Sequence, residues 1–397
     1  QEIGLKCAPA FTMPVAGCRI TADRMKLSIE RARLLKALNH VQSVVERRNT
    51  IPILSNVLMT AEGASLRLGA TDLDMEIVET AEADVERSGQ VTAPAHTLYE
   101  IVRKLPDGAL VRIEHGGGDP RLTVSAGRSR FALPALPAAD FPALGAGSFE
   151  TTFVIEPEAL VRLLDRTRFA ISTEETRYYL NGVYMHAAKD GAHGPTLRAV
   201  ATDGHRLALA EHPLPEGASG MTGVIVPRKT VQEVRRLLDD AQGLAEIALS
   251  DAKIRVTVGG VVLTSKLIDG TFPDYTRVIP KNNPRILVLA NKAFQDAVDR
   301  VATVSAERTR SVKMAVDAER VVLSVTHPET GTATEELAGD YPHDPIEIGF
   351  NARYLLDVAA QIGTGDAQFE FADAASPTLV KDKGDDGVQY VIMPLRV

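Results

Sequence analysis

The amino-acid sequence predicts an α+β protein built from three tandem copies of one unit, each with two helices and antiparallel sheets. Three observations carry this expectation. One helical pattern opens in the same way three times, a second follows it in step, and short alternating runs bounded by Gly, Asp or Pro lie between them. A unit of about 125 residues repeated three times accounts for most of the 397 residues, within the usual size of a domain.

The first helical pattern reads Ile29-Glu30-Arg31-Ala32-Arg33-Leu34-Leu35, Ile155-Glu156-Pro157-Glu158-Ala159-Leu160-Val161 and Leu289-Ala290-Asn291-Lys292-Ala293-Phe294-Gln295. Its copies start 126 and 134 residues apart and continue with apolar residues at helical spacing, such as Leu160, Leu163 and Leu164. The second helix follows β-like runs at Val91-Thr92-Ala93-Pro94, Val224-Ile225-Val226-Pro227 and Ile348-Gly349-Phe350-Asn351. Two echoes keep the register: Ala70-Thr71-Asp72 returns as Ala201-Thr202-Asp203, and Asp140-Phe141-Pro142 as a Phe272-Pro273-Asp274 turn. Strands are expected in 65–69, 253–258 and 320–325, and joints in the turn-rich stretches 142–148 and 278–285. The units are therefore placed at 25–145, 146–278 and 279–397. Residues 1–24, which precede the start-like Met25-Lys26-Leu27-Ser28, are expected to be a disordered extension or an artefact.

Composition narrows the function. Hydrophobic residues make up 45% and charged residues 24%, as in ordinary globular chains. There is no apolar run of the ~20 residues that a spanning helix needs, so no membrane is expected. The net charge of −8 argues against a protein that coats nucleic acid with its whole surface. The absence of Trp and the 5% aromatic content disfavour a stacking-based single-strand binder. Both cysteines, Cys7 and Cys18, precede Met25, which excludes a cysteine zinc site or nucleophile in the body and fits the reducing cytoplasm.

Catalytic constellations are weak. Asp203-Gly204-His205-Arg206 could suggest acid–base chemistry, but no Ser elbow, H-E-x-x-H or Walker motif accompanies it. His115-Gly116-Gly117-Gly118-Asp119 lacks a following Gly-Lys-Ser/Thr and reads as a hairpin turn. No metal or cofactor is expected. The helical segments carry the basic excess: residues 28–48 hold five basic residues against two acidic ones. Helix propensity alone can produce such a bias, but a helical surface facing a polyanion, with an acidic remainder, is the functional reading.

Long strings in all three units then resemble one family, the bacterial sliding clamps or β subunits of DNA polymerase III. They include Ile51-Pro52-Ile53-Leu54-Ser55-Asn56, Thr71-Asp72-Leu73-Asp74-Met75-Glu76, Arg177-Tyr178-Tyr179-Leu180-Asn181-Gly182, Ala201-Thr202-Asp203-Gly204-His205-Arg206-Leu207, Val226-Pro227-Arg228-Lys229 and the closing Tyr390-Val391-Ile392-Met393-Pro394-Leu395-Arg396-Val397. The resemblance implies three DNA-clamp domains forming half of a ring, a head-to-tail homodimer, helices lining a pore for duplex DNA, and no catalysis. It implies DNA contact at Arg48, Arg177, Tyr179, Arg228 and Lys229, with Arg48 expected to end the first helix. Dimer contact is implied for Phe131 and Leu133 against Thr303 and Val304. A peptide groove is implied at Leu180, Thr202, Gly204, His205, Arg206, Leu207, Pro273, Arg277, Val278, Pro377, Val391, Met393, Pro394 and Arg396. In that groove Leu180, Leu207, Val278, Val391 and Met393 would form the lining, with His205, Arg206 and Arg396 at the rim. Implied partners are the replicative polymerase α subunit, the clamp loader, translesion polymerases, mismatch-repair proteins and ligase, through linear motifs with a Gln followed by apolar residues. A nucleotidyltransferase or hydrolase is the alternative, although the clustered carboxylates of two-metal chemistry are missing from the sequence.

Overall fold

The structure, a computed structural model, describes residues 24–145, 147–191, 194–305, 310–363 and 365–396; of the expected extension only Arg24 lies within them. Six helices are present among these residues: α1 (Arg31–Val41), α2 (Ala95–Lys104), α3 (Pro157–Asp165), α4 (Arg228–Leu238), α5 (Asn291–Ala302) and α6 (Ala352–Ala359). They pack in pairs, α1 on α2, α3 on α4 and α5 on α6. Each helix is entered directly from a strand, which corrects the start of the first pattern. Ile29, Ile155 and Leu289 are the buried ends of strands Met25–Glu30, Thr151–Ile155 and Arg285–Ala290. Their apolar side chains belong to the sheet period of two before the helical period of 3.6 takes over. α4 shows the amphipathic logic: Val231, Val234, Leu237 and Leu238 are buried, while Arg228 and Gln232 face outward.

The chain forms two compact units. The first comprises the described residues up to Gln42, Arg47–Gly69 and Thr80–Phe141. In it five strands run in the order Asp84–Arg87, Met25–Glu30, Leu110–His115, Arg121–Ala126 and Ser129–Pro134. The glycine run is the expected hairpin turn, with Asp119 N–H donating to Gly116 O at 2.9 Å and His115 opposite Leu122. Ser129–Pro134 is the edge of this sheet.

The second unit comprises Ser43–Glu46, Ala70–Glu79 and Pro142–Val397. Its largest sheet joins the second and third repeats, in the order Val224–Pro227, Gly182–Gly191, Gly194–Thr202, Arg206–Pro213, Asp385–Ile392, Thr378–Asp382, Asp366–Phe371 and Arg285–Ala290. The join is the antiparallel ladder from Arg206↔Ile392 to Ala210↔Val388. A matching join pairs Met75–Glu79 with Val261–Ser265. A four-stranded sheet ends at the edge strand Gly331–Ala338. Among the described residues no helix is long and apolar enough to cross a membrane.

Candidate functional site

The ladder between Arg206–Pro213 and Asp385–Ile392 brings together residues almost two hundred positions apart. Just beyond it, Met393 N–H donates to His205 O at 2.8 Å, so the tail lies beside the turn that starts the strand. The turn is made by its own side chains. Asp203 Oδ1 accepts from His205 N–H at 2.9 Å and Arg206 N–H at 3.0 Å, while Thr202 Oγ1 accepts from Gly204 N–H at 3.1 Å and donates to Arg206 O at 2.7 Å. Gly204 sits at φ 87, and a Cβ there would lie 2.6 Å from Arg177 Nη1, so the guanidinium can lie against the backbone only because residue 204 has no side chain.

Under this turn Leu180, Leu207 and Val391 join Val200, Leu209, Ile225, Phe272, Tyr275 and Leu379 in one buried cluster. Leu180, Leu207 and Val391 are therefore core, and half-buried Tyr179, Tyr184, Ile268 and Ile279 pack against them; Val278 is 42% exposed and Met393 half-buried. Pro273 and Arg277 are exposed, Arg277 pairing with Asp274 at 2.9 Å. Pro377 and Pro394 are half-buried, and Arg396 is exposed. The turn Thr202–Leu207 and the tail residues Val391–Met393 thus meet at one end of the seam.

Arg206 departs from its expected place at the rim. It is 7% exposed and spends its donors inside the protein: Nε to Asp203 at 3.2 Å, Nη1 to Asp357, and Nη2 to Phe169 O at 2.8 Å. Its guanidinium also lies 4.7 Å from the Tyr354 ring and 5.1 Å from the Phe169 ring. A cation this enclosed must be fully paired, so Arg206 ties the turn to α6 and leaves the rim to exposed His205, which stacks on Tyr354 at 6.1 Å. At the core cluster, Tyr184 stacks on Phe272 at 4.8 Å, and Tyr275 hydroxyl meets His186 Nε2 at 2.9 Å and Arg198 Nη1 at 3.3 Å. Burial pushes the Tyr275 phenol up and the His186 imidazole down from their ordinary values.

Family models cover nearly the whole chain beyond residue 24. The DNA polymerase III beta subunit N-terminal, central and C-terminal domain models match residues 25–145, 154–274 and 276–396. The chain belongs to the DNA polymerase III β subunit family. The Beta sliding clamp of Caulobacter vibrioides is 62% identical over 374 residues, covering 94% of this chain and 100% of the relative. That of Escherichia coli K12 is 37% identical over the same shares. Among solved structures, a sliding clamp from Caulobacter crescentus matches with a TM-score of 0.90 at 60% identity, and one from Bartonella birtlesii bound to griselimycin with 0.91 at 47%; each match covers 94% of this chain and 100% of the other. The chain is a sliding clamp of three tandem α+β clamp domains.

The clamp's expected DNA contacts differ in availability. Arg48 is exposed without an ion pair among the described residues, but it does not end the first helix. α1 stops at Val41, and Arg48 lies in the bend before Ile51-Pro52. Arg177 is held by Glu174 through Nε at 2.8 Å and Nη2 at 2.5 Å, which raises the guanidinium and lowers the carboxyl, so a phosphate has to displace that carboxylate. Tyr179 is half-buried beside Tyr178, which is 54% exposed and was not singled out from the sequence. Arg228 is exposed and unpaired among the described residues, whereas Lys229 is committed to Asp72 and, at 3.1 Å, to Glu46. Partial burial works against the Lys229 charge, but these carboxylates hold its pKa above the ordinary value. At the expected dimer positions, Leu133 is core at 6% exposure, so Phe131, half-buried on the edge strand, has the surface to offer. Thr303 is exposed and Val304 half-buried at the C-terminus of α5.

Proposed function

We propose that two copies of this clamp close head to tail into a ring that encircles duplex DNA without sequence specificity, with domains bounded at 25–145, 146–278 and 279–397. The ring closes through Phe131 of one copy, backed from the core by Leu133, and Thr303 and Val304 of the other. Two edge strands support this reading. Ser129–Pro134 carries exposed Arg130 beside exposed Arg128, and Gly331–Ala338 carries Glu335, held by Arg300, and exposed Glu336, only loosely paired with Arg320 at 3.7 Å. Each strand is paired on one side only among the described residues, and the charges are complementary. DNA passes along Arg48, Arg177, Tyr179 and Arg228, with Lys229 in a supporting place, through weak phosphate contacts that permit sliding.

The seam at Thr202–Leu207 and Val391–Arg396 docks linear peptides of the replicative polymerase α subunit, clamp loader, translesion polymerases, mismatch-repair proteins and ligase in the cytoplasm. The observation that supports this reading is the tail running beside the Thr202–Leu207 turn, where Met393 N–H bonds to His205 O, with exposed Val278 and half-buried Met393 offering apolar side chains that a peptide anchor can cover. The chain itself is non-catalytic, and polymerase activity belongs to the complex. The test is retention of a dimer on circular but not on linearised DNA. Equal loss from both, or nucleotide turnover by the purified chain, contradicts the proposal.

A further inference from the structure

A cavity of about 470 Å³ lies on the helical side of the second unit, lined by Arg168, Phe169, Arg228, Gln232 and Gln361 together with Asp165, Ile171 and Val231. Its residues come from three places: the turn after α3, the first turns of α4, and the segment after α6. The lining brings two guanidinium groups and two amides to one pocket. Its carboxylate, Asp165, is shared by Arg168 Nε at 2.9 Å and Arg235 Nε at 2.8 Å, so Arg168 has its Nη groups to offer an anion while Arg235 keeps the carboxylate. Arg228 has no ion pair among the described residues, and its backbone N–H is satisfied by Asn181 O at 3.0 Å, which leaves the side chain as the unmatched charge. Ile171 and Val231 are buried, while Arg168, Arg228 and Gln232 are exposed, so the charged donors stay within reach of a backbone phosphate and can make charge-assisted hydrogen bonds to it.

We propose that this cavity is a seat for one phosphate of the duplex backbone, held by Arg168 and Arg228 with Gln232 and Gln361 as neutral donors; the inference rests on the DNA-encircling reading above. It adds Arg168, Gln232 and Gln361 to the DNA-facing residues and gives the third domain a part in a contact otherwise made by the second. Phe169 is the wall between this seat and the groove turn, because its carbonyl accepts from Arg206. The recognised group is a phosphodiester, so the seat reads no base.

The test measures binding of a short linear duplex to the full dimer as a function of salt, for wild type, Arg168→Gln, Arg228→Gln, Gln361→Glu and the control Arg320→Gln on the strand Arg320–His327. One lost phosphate contact lowers the slope of log K against log salt by about one, whatever the base sequence. That fall is expected for Arg168→Gln and Arg228→Gln and not for the control, and Gln361→Glu weakens binding without removing a cation. Asp165 keeps Arg235 in Arg168→Gln, so the fold is retained, and unfolding midpoints check this. If Arg168→Gln and Gln361→Glu match the control while wild type binds, the seat is overturned and the DNA reading stands. If wild type shows no salt-dependent binding at all, the DNA reading fails and the seat with it. The Arg168 guanidinium resonance should shift on adding duplex; a shift with inorganic phosphate alone overturns the backbone as the source.

Discussion

Two turns in the second unit share one design, built by the same Thr and Asp side chains, and differ at their other three positions. In Thr71–Met75, Thr71 Oγ1 accepts from Leu73 N–H at 3.0 Å and donates to Met75 O at 2.8 Å, and Asp72 Oδ1 accepts from Asp74 N–H at 3.0 Å and Met75 N–H at 2.7 Å. The same bonds build Thr202–Arg206. Each turn then accepts one backbone bond from the next repeat at 2.8 Å, Lys266 N–H to Asp74 O and Met393 N–H to His205 O. The tips diverge. Leu73 holds φ 78 where Gly204 holds φ 87, and Asp74 pairs with Lys266 at 3.0 Å where His205 stacks on Tyr354. Asp72 is clasped by Lys229, whereas Asp203 is clasped by Arg206. One connector therefore serves two seams. Charged pairs flank both seams, but the first turn carries exposed Leu73 at its tip, whereas the second has a glycine that admits Arg177.

The largest effect that would break this comparison is expected at Arg206. Arg206→Ala leaves Asp203 and Asp357 without their buried partner, costing about 3 kcal/mol in denaturant unfolding and abolishing peptide binding. Unchanged stability would show that the second seam does not depend on this ion pair. Next come the tips. Gly204→Ala meets both an unfavourable φ and the Arg177 guanidinium and should cost about 2 kcal/mol. Leu73→Gly relieves an unfavourable φ but frees the unfolded chain, so it should stay within about 1 kcal/mol of wild type. Equal costs at both positions would contradict the distinction drawn between the tips. The smallest effect concerns acid. His186 at the core cluster and His212 are held below the ordinary histidine value by burial. The unfolded chain therefore takes up protons first, and stability should fall as pH drops through the ordinary histidine range near 6.5. Thermal unfolding of His186→Gln should show a shallower fall than wild type.

The fold was largely legible because repetition is a property of sequence. Six helices and the strands at 253–258 and 320–325 follow from period and register. Helix starts were misjudged where Ile29, Ile155 and Leu289 close a strand, since one apolar residue satisfies both periods. The proposed groove rests on family likeness, because the pairing of Leu207 with Val391 leaves no local periodic trace. Burial of Arg206 was missed because its partners Asp357 and Phe169 lie on distant segments. A signal for the turn was present, however: the Ala-Thr-Asp echo puts an Asp in both copies where its carboxylate can accept from the amides two and three residues on.

The most direct test of the account is the stoichiometry and location of peptide binding to the full dimer, measured by calorimetry with a Gln-initiated apolar peptide. The two seams have the same backbone, so a site set by backbone alone would bind two peptides per chain. The account predicts one per chain, lost when residues 393–397 are deleted while the dimer persists by light scattering. Two peptides per chain, or full affinity in the truncated ring, would contradict it.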